Sequence, residues 1–319
     1  LTCWTPRRTR DGLMRGMMRH PALMSRADEQ NALRSTGRLR VEIARLRNSG
    51  QKALLIAEEN LIGSMRNNIL DTRLYPLLRD RLMRFEPLFA QEKLTIGLTV
   101  RNYEDYWTSC LVNLVLRGRR IPSDELLDCL TTQPRRWRTM VRDIAEVFPN
   151  ADILVWPFER MAGQPSAQLR SMWSHDVQRL EQDTGLWVNR GADLLSMNKH
   201  MALRGEPVLR DGLIEAGTRW TPFNEDQSSV LRAEYRRDLA WFEAGAEGLA
   251  RYIDGRQAPT PDNGGGLRMM VPHHTQTIGS TRSTHAPRPD RAEVTRAASL
   301  AAAQLRGQND GIQERYVKD

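Results

Sequence analysis

Short, unbroken apolar runs alternate with stretches of helical spacing along most of this chain. The runs KALLIAEEN (52–60), KLTIGLTVR (93–101) and ADILVWPF (151–158) lack the apolar–polar alternation of a half-exposed strand, as expected of strands covered on both faces. Between and around them lie helix signals. From Arg26 to Asn48 the residues Leu33, Leu39, Ile43 and Leu46 keep helical spacing, and Gly50 closes the segment. The segment LYPLLRDRLMRF (74–85) predicts an amphipathic helix. Residues 103–116 predict another, with Trp107, Cys110, Leu111, Leu114 and Val115 as its apolar face. Ser123 opens a helix as N-cap, residues 134–148 form one that Pro149-Asn150 ends, and 166–183 and 225–244 are helical, the last carrying Tyr235, Leu239, Trp241 and Phe242. Residues 190–224 read as irregular. Strands that alternate with helices of this length predict an α/β domain, a parallel sheet flanked by helices, over residues 1–254. After Gly255 the chain turns rich in Pro, Gly, Ser and Thr (QAPTPDNGGG, STRSTHAPRPD). Residues 255–319 are therefore expected to be a disordered tail with a short helix near 290–306.

Composition narrows the partners. The 319 residues carry a formal charge of +8, and all but four of the 47 basic residues are Arg. Such a balance suits an anionic partner, and equally a solvated basic surface. The Arg residues are scattered, with no nucleic-acid-binding motif, so nucleic acid is not expected as a partner. Cys3, Cys110 and Cys129 form no CxxC pair, and the six His show no HExxH or HxH pattern, so no metal site is expected. No apolar run reaches the roughly 18–20 residues needed to span a bilayer. With no signal peptide in LTCWTPRRTR, a cytoplasmic location is expected. The first residue is Leu1, read here as a truncated start.

The richest segment is LTIGLTVRNYEDYWTS. A strand delivers Arg101 at its carboxyl end, where ligands of open α/β sheets bind, and a helix begins a residue or two later. Ser109 lies eight positions on, about two turns along that helix. A guanidinium and a hydroxyl so placed suit one phosphate. At these residues the chain resembles the sulfotransferase family that uses 3′-phosphoadenosine-5′-phosphosulfate. There a strand ends in Arg, often with Asn or Asp next, and a Ser eight residues after the Arg completes the 3′-phosphate site. Arg101, Asn102 and Ser109 match; Tyr103 replaces the usual Pro. LLIAEENLIGS is similar to the Ser-Glu-Glu-Asn-type element of bacterial sulfotransferase-like proteins, with Ala57 for the Ser. RWRTMVRDIAEVFPNADILVWPFERM and FNEDQSSVLRAEYRRDLAWF resemble their following helix–strand unit and closing helix. The likeness covers roughly residues 50–245.

The resemblance implies a P-loop nucleoside-triphosphate-hydrolase-like fold and transfer of a sulfuryl group from that nucleotide to a hydroxyl, on a glycan or similar acceptor. It implies a carboxylate base just after the second strand. Glu58 is the first choice there and Glu59 the second; either serves equally as a helix cap or an Arg partner. His20, His175 and His200 are weaker candidates. The family's strand–loop–helix for the 5′-phosphosulfate, with its Lys, has no counterpart. TIGSTRST (277–284) offers Gly and hydroxyls but no Lys and no strand before it. The fold is thus expected to lack its first strand–loop–helix, and this chain to transfer sulfate poorly or not at all. The alternative is a non-catalytic nucleotide- or polyanion-binding protein on the same fold. Trp156 and Phe158 suit either an acceptor sugar or strand-end packing. Glu159 is expected to pair with a nearby Arg, and Ser196 and Lys199 to fall where the family has a second phosphate-contacting loop.

Overall fold

A computed structural model of the chain describes residues 1–173, 191–209, 212–255 and 266–271, the last stretch as backbone alone. The chain divides into a compact unit, Leu1–Thr277, and a second, Ile278–Asp319, which lies outside the described residues together with the helix expected near 290–306. In chain order the strands are β1 (Thr2–Trp4), β2 (Ala53–Ala57), β3 (Leu94–Val100), β4 (Asp152–Pro157), β5 (Arg251–Tyr252) and β6 (Gly266–Val271). They form one sheet in the order β1-β2-β6-β3-β4-β5, with every pairing parallel. The described helices are α1 (Pro6–Arg8), α2 (Arg26–Asn48), α3 (Met65–Leu70), α4 (Leu78–Leu82), α5 (Glu86–Phe89), α6 (Tyr103–Leu116), α7 (Asp124–Thr132), α8 (Trp137–Val147), α9 (Phe158–Met161), α10 (Pro165–Met172), α11 (Leu194–Leu203) and α12 (Glu225–Glu243). The chain is an α/β protein with a parallel sheet flanked by helices.

The unbroken apolar runs have the meaning expected of them. All seven residues of β3 are buried, because both faces of the sheet are covered. On one face Leu54, Ile56, Leu94, Ile96, Leu98, Val100, Ile153 and Val155 join the main core with Trp107, Cys110 and Trp137. On the other, Leu154 and Trp156 pack with Met161 and Met172. The Trp156 ring lies so close over Gly97 that a Cβ there would sit 2.3 Å from it. Its indole N–H donates to Ser171 Oγ over 3.1 Å. Trp156 is therefore core, wholly buried, and not a wall for a sugar.

Helix starts follow their caps. Ser25 and Asp28 form a capping box on α2, Ser123 caps α7, and Asn224 with Gln227 boxes α12. At four places the structure goes beyond or against the sequence reading. Thr2–Trp4, too short to show periodicity, is an edge strand parallel to β2. Within 74–85 only Leu78–Leu82 is helical. Pro76 disfavours helix at the residue before it, and Tyr75 takes φ 42°, its N–H bound by Asn68 Oδ1 at 3.1 Å. Inside the stretch read as irregular, α11 forms on an Asp193 cap and packs Met197 and Met201 against Val112 and Val115 of α6. Within the expected tail, Gly266–Val271 is a strand at the centre of the sheet, with Met269 in register with Ile56 and Ile96. It ends at Val271, so a strand does precede TIGSTRST, contrary to the sequence reading; TIGSTRST itself lies outside the described residues.

Candidate anion site at the carboxyl rim of the sheet

Because all strands run parallel, their carboxyl ends share one rim. It gathers Thr9 and Arg10 beyond β1, Glu58 and Glu59 after β2, Arg101 and Asn102 after β3, and Phe158 and Glu159 after β4. This is where a doubly wound sheet binds its ligand.

Arg101 is half-buried, and its guanidinium carbon stacks 4.4 Å from the centre of the Phe158 ring. Among the described residues it has no hydrogen bond and no carboxylate within ion-pair distance. Burial pushes its pKa below the ordinary value, Arg219 adds to this, and Asp105, Cys110 and Glu159 oppose it. A cation desolvated without a partner is a costly arrangement, and an anion would relieve it.

The turn that presents Arg101 is fixed from several sides. Its carbonyl accepts the indole N–H of Trp137 over 2.8 Å. The Asn102 side chain caps α6, its Oδ1 accepting the Glu104 N–H at 2.9 Å. The Asn102 N–H donates to Glu159 Oε1 at 2.7 Å, and Tyr235 Oη donates to Glu159 Oε2 at 2.7 Å. Glu159 thus binds a backbone N–H and a phenol in place of the Arg partner expected. Beneath, Tyr103 Oη donates to the fully buried Asp238, which also accepts the Trp137 N–H at 3.0 Å. Burial raises the pKa of Asp238, against the pull of Tyr103 and Arg138.

Ser109 is half-exposed on α6, one turn beyond Asp105, and its hydroxyl makes no hydrogen bond among the described residues. Arg101 precedes α6 by two residues, the six helical residues from Tyr103 to Ser109 rise about 9 Å, and no direct bond joins Ser109 to Arg101. Asp105 pairs with the exposed Arg219 at 3.3 Å. Lys199 and His200 are exposed; the Ser196 N–H caps back to Asp193 Oδ1. No hydrogen bond or ion pair links Ser196 or Lys199 to Arg101. His175 lies outside the described residues.

Glu58 is fully buried. Its carboxylate accepts from Thr9 Oγ1 at 2.5 Å, from Arg10 Nη2 at 2.7 Å and Nε at 3.1 Å, and from the Asn60 N–H at 3.0 Å. It is therefore both the helix cap and the Arg partner, with no room for an acceptor hydroxyl in this arrangement. Glu59 shares Arg10 through one oxygen, and its Oε2 is buried without a hydrogen bond. Sequence reasoning missed Thr9, Arg10, Trp137 and Asp238. The first two follow an edge strand of three residues, and the last two act through hydrogen bonds between residues far apart in the chain, which leave no spacing signature.

Fold and rim together define an α/β protein with an arginine, free of any ion pair among the described residues, at the carboxyl edge of a parallel sheet. No family model, curated protein or solved structure matches the chain. Among the described residues no group of His, Cys, Asp and Glu could hold a metal ion, and no helix is long and apolar enough to cross a membrane.

Proposed function

We propose that the chain is a sulfotransferase-like protein whose Arg101 holds the 3′-phosphate of 3′-phosphoadenosine-5′-phosphosulfate. Ser109 adds a hydrogen bond from farther along α6, with the phosphate lying between the two side chains. The observation that carries this reading is the half-buried guanidinium of Arg101, stacked on Phe158 with no carboxylate of the described residues on it. In the transfer, an acceptor hydroxyl oxygen on a glycan or similar molecule attacks sulfur. The sulfur–oxygen bond to the 5′-phosphate breaks, the proton passes to a carboxylate, and adenosine 3′,5′-bisphosphate leaves. Glu59, with one oxygen unbonded, is better suited to take that proton than Glu58. Calorimetry tests the phosphate site: the chain should bind adenosine 3′,5′-bisphosphate more tightly than adenosine 5′-monophosphate. Equal affinity would remove the role given to Arg101.

One observation favours a second reading, a nucleotide- or polyanion-binding protein without catalysis. Glu58, at the position of the family's base, is saturated by Thr9, Arg10 and Asn60. A radiolabelled transfer assay with mixed glycan acceptors separates the two. Turnover that Glu59→Gln abolishes supports the enzyme and contradicts the second reading; binding without turnover is expected of this chain under either.

A further inference from the structure

The rim holds a carboxylate where an anion site should least want one. Glu159 follows Phe158, the ring on which Arg101 stacks, and its charge is felt at Arg101. Yet it forms no ion pair with Arg101; its two oxygens are taken by the Asn102 N–H and by Tyr235 Oη, each at 2.7 Å. It therefore ties the ends of β3 and β4 to α12 at the residue next to Arg101. A backbone N–H bound to a carboxylate is a strong, directional restraint.

We propose that Glu159 is a positioning residue for the anion site: it fixes the Arg101–Asn102 turn through the Asn102 N–H while its charge weakens the grip on a phosphate. This rests on the anion reading above. The two effects have opposite signs, so two variants separate them. In Glu159→Gln the amide oxygen still accepts from Asn102, and the amide nitrogen can donate to Tyr235 Oη, so the turn stays tied and only the charge is lost. Glu159→Ala loses the charge and both bonds.

Titration of the full chain with adenosine 3′,5′-bisphosphate should show Glu159→Gln binding roughly threefold tighter than the parent, the size of one charge removed in a water-like dielectric. That gain should fade in high salt. Glu159→Ala should bind about tenfold weaker, as expected for lost hydrogen bonds to a charged group. A purely structural Glu159 would give weakening in both variants, and an idle one no change in either; each result overturns the proposal. If the parent itself does not bind, the anion reading fails. The tie is then judged by Asn102 amide exchange, which must quicken in Glu159→Ala and stay slow in Glu159→Gln.

Discussion

Arg101 was readable because a strand end is readable: β3 begins and ends within a residue of its apolar run. Its neighbours were less so. A carboxylate beside many arginines suggests an ion pair, and Glu159 took a backbone N–H instead; sequence patterns carry side-chain charge but not which amides a turn leaves unpaired. Glu58 shows the same limit. Its place after β2 was legible, its saturation by Thr9 and Arg10 was not, because they lie 49 and 48 residues earlier in the chain, beyond the edge strand that pairs with β2. Two expectations belong at this scale. Ser109→Ala should weaken binding of the bisphosphate by about 1–2 kcal/mol, the value of one hydrogen bond to a charged group; unchanged calorimetric affinity would take the hydroxyl out of the site. Asp238 titrates in the other direction from most carboxylates. Its folded pKa is raised, so the folded state holds the proton more tightly than the unfolded state. Its contribution to stability therefore falls as pH rises from the ordinary carboxylate range through the raised value. Urea denaturation followed from about pH 4 upward should show this slope, and Asp238→Asn should flatten it. A parallel pair of curves would contradict the assignment.

Elements with strong periodicity and a clear cap were legible almost to the residue. α6 begins at Tyr103 on its Asn102 cap, α7 on Ser123, and α12 on Asn224. Elements decided by tertiary contacts were not. α4 is cut short by the Tyr75–Pro76 turn, which Asn68 and Gln133 hold by accepting the N–H groups of Tyr75 and Leu74. α11 depends on its packing against α6. The contact between β3 and β4 is similarly invisible in sequence: Gly97 is needed because the Trp156 ring fills the space of a side chain. Gly97→Ala should lower stability by about 1–3 kcal/mol, the range for overpacking a dense core, since Trp156 is also anchored to Ser171. A urea midpoint equal to the parent's would show that the ring can yield.

At the scale of the molecule, the parallel α/β class was legible from the alternation of runs and helices, but the order of strands was not. β2 and β3 follow one another in the chain and yet are separated by β6, supplied by a stretch whose Gly-rich approach reads as tail. Composition describes what a segment tends to do alone; a strand paired on both edges gains its hydrogen bonds from neighbours. Met269→Pro would remove a ladder donor in mid-sheet and force a poor fit, so it should destabilise the fold by about 3 kcal/mol or more, as read by urea denaturation. Unchanged stability would mean that the sheet does not rely on β6. What the whole rim is for depends on the charge left open at Arg101. The direct measurement is calorimetric titration of adenosine 3′,5′-bisphosphate and adenosine 5′-monophosphate into the parent and Arg101→Ala. An anion site at Arg101 requires the variant to lose about 2–3 kcal/mol of affinity for the bisphosphate and, with it, the preference over the monophosphate. An Arg101→Ala variant that keeps both would contradict it.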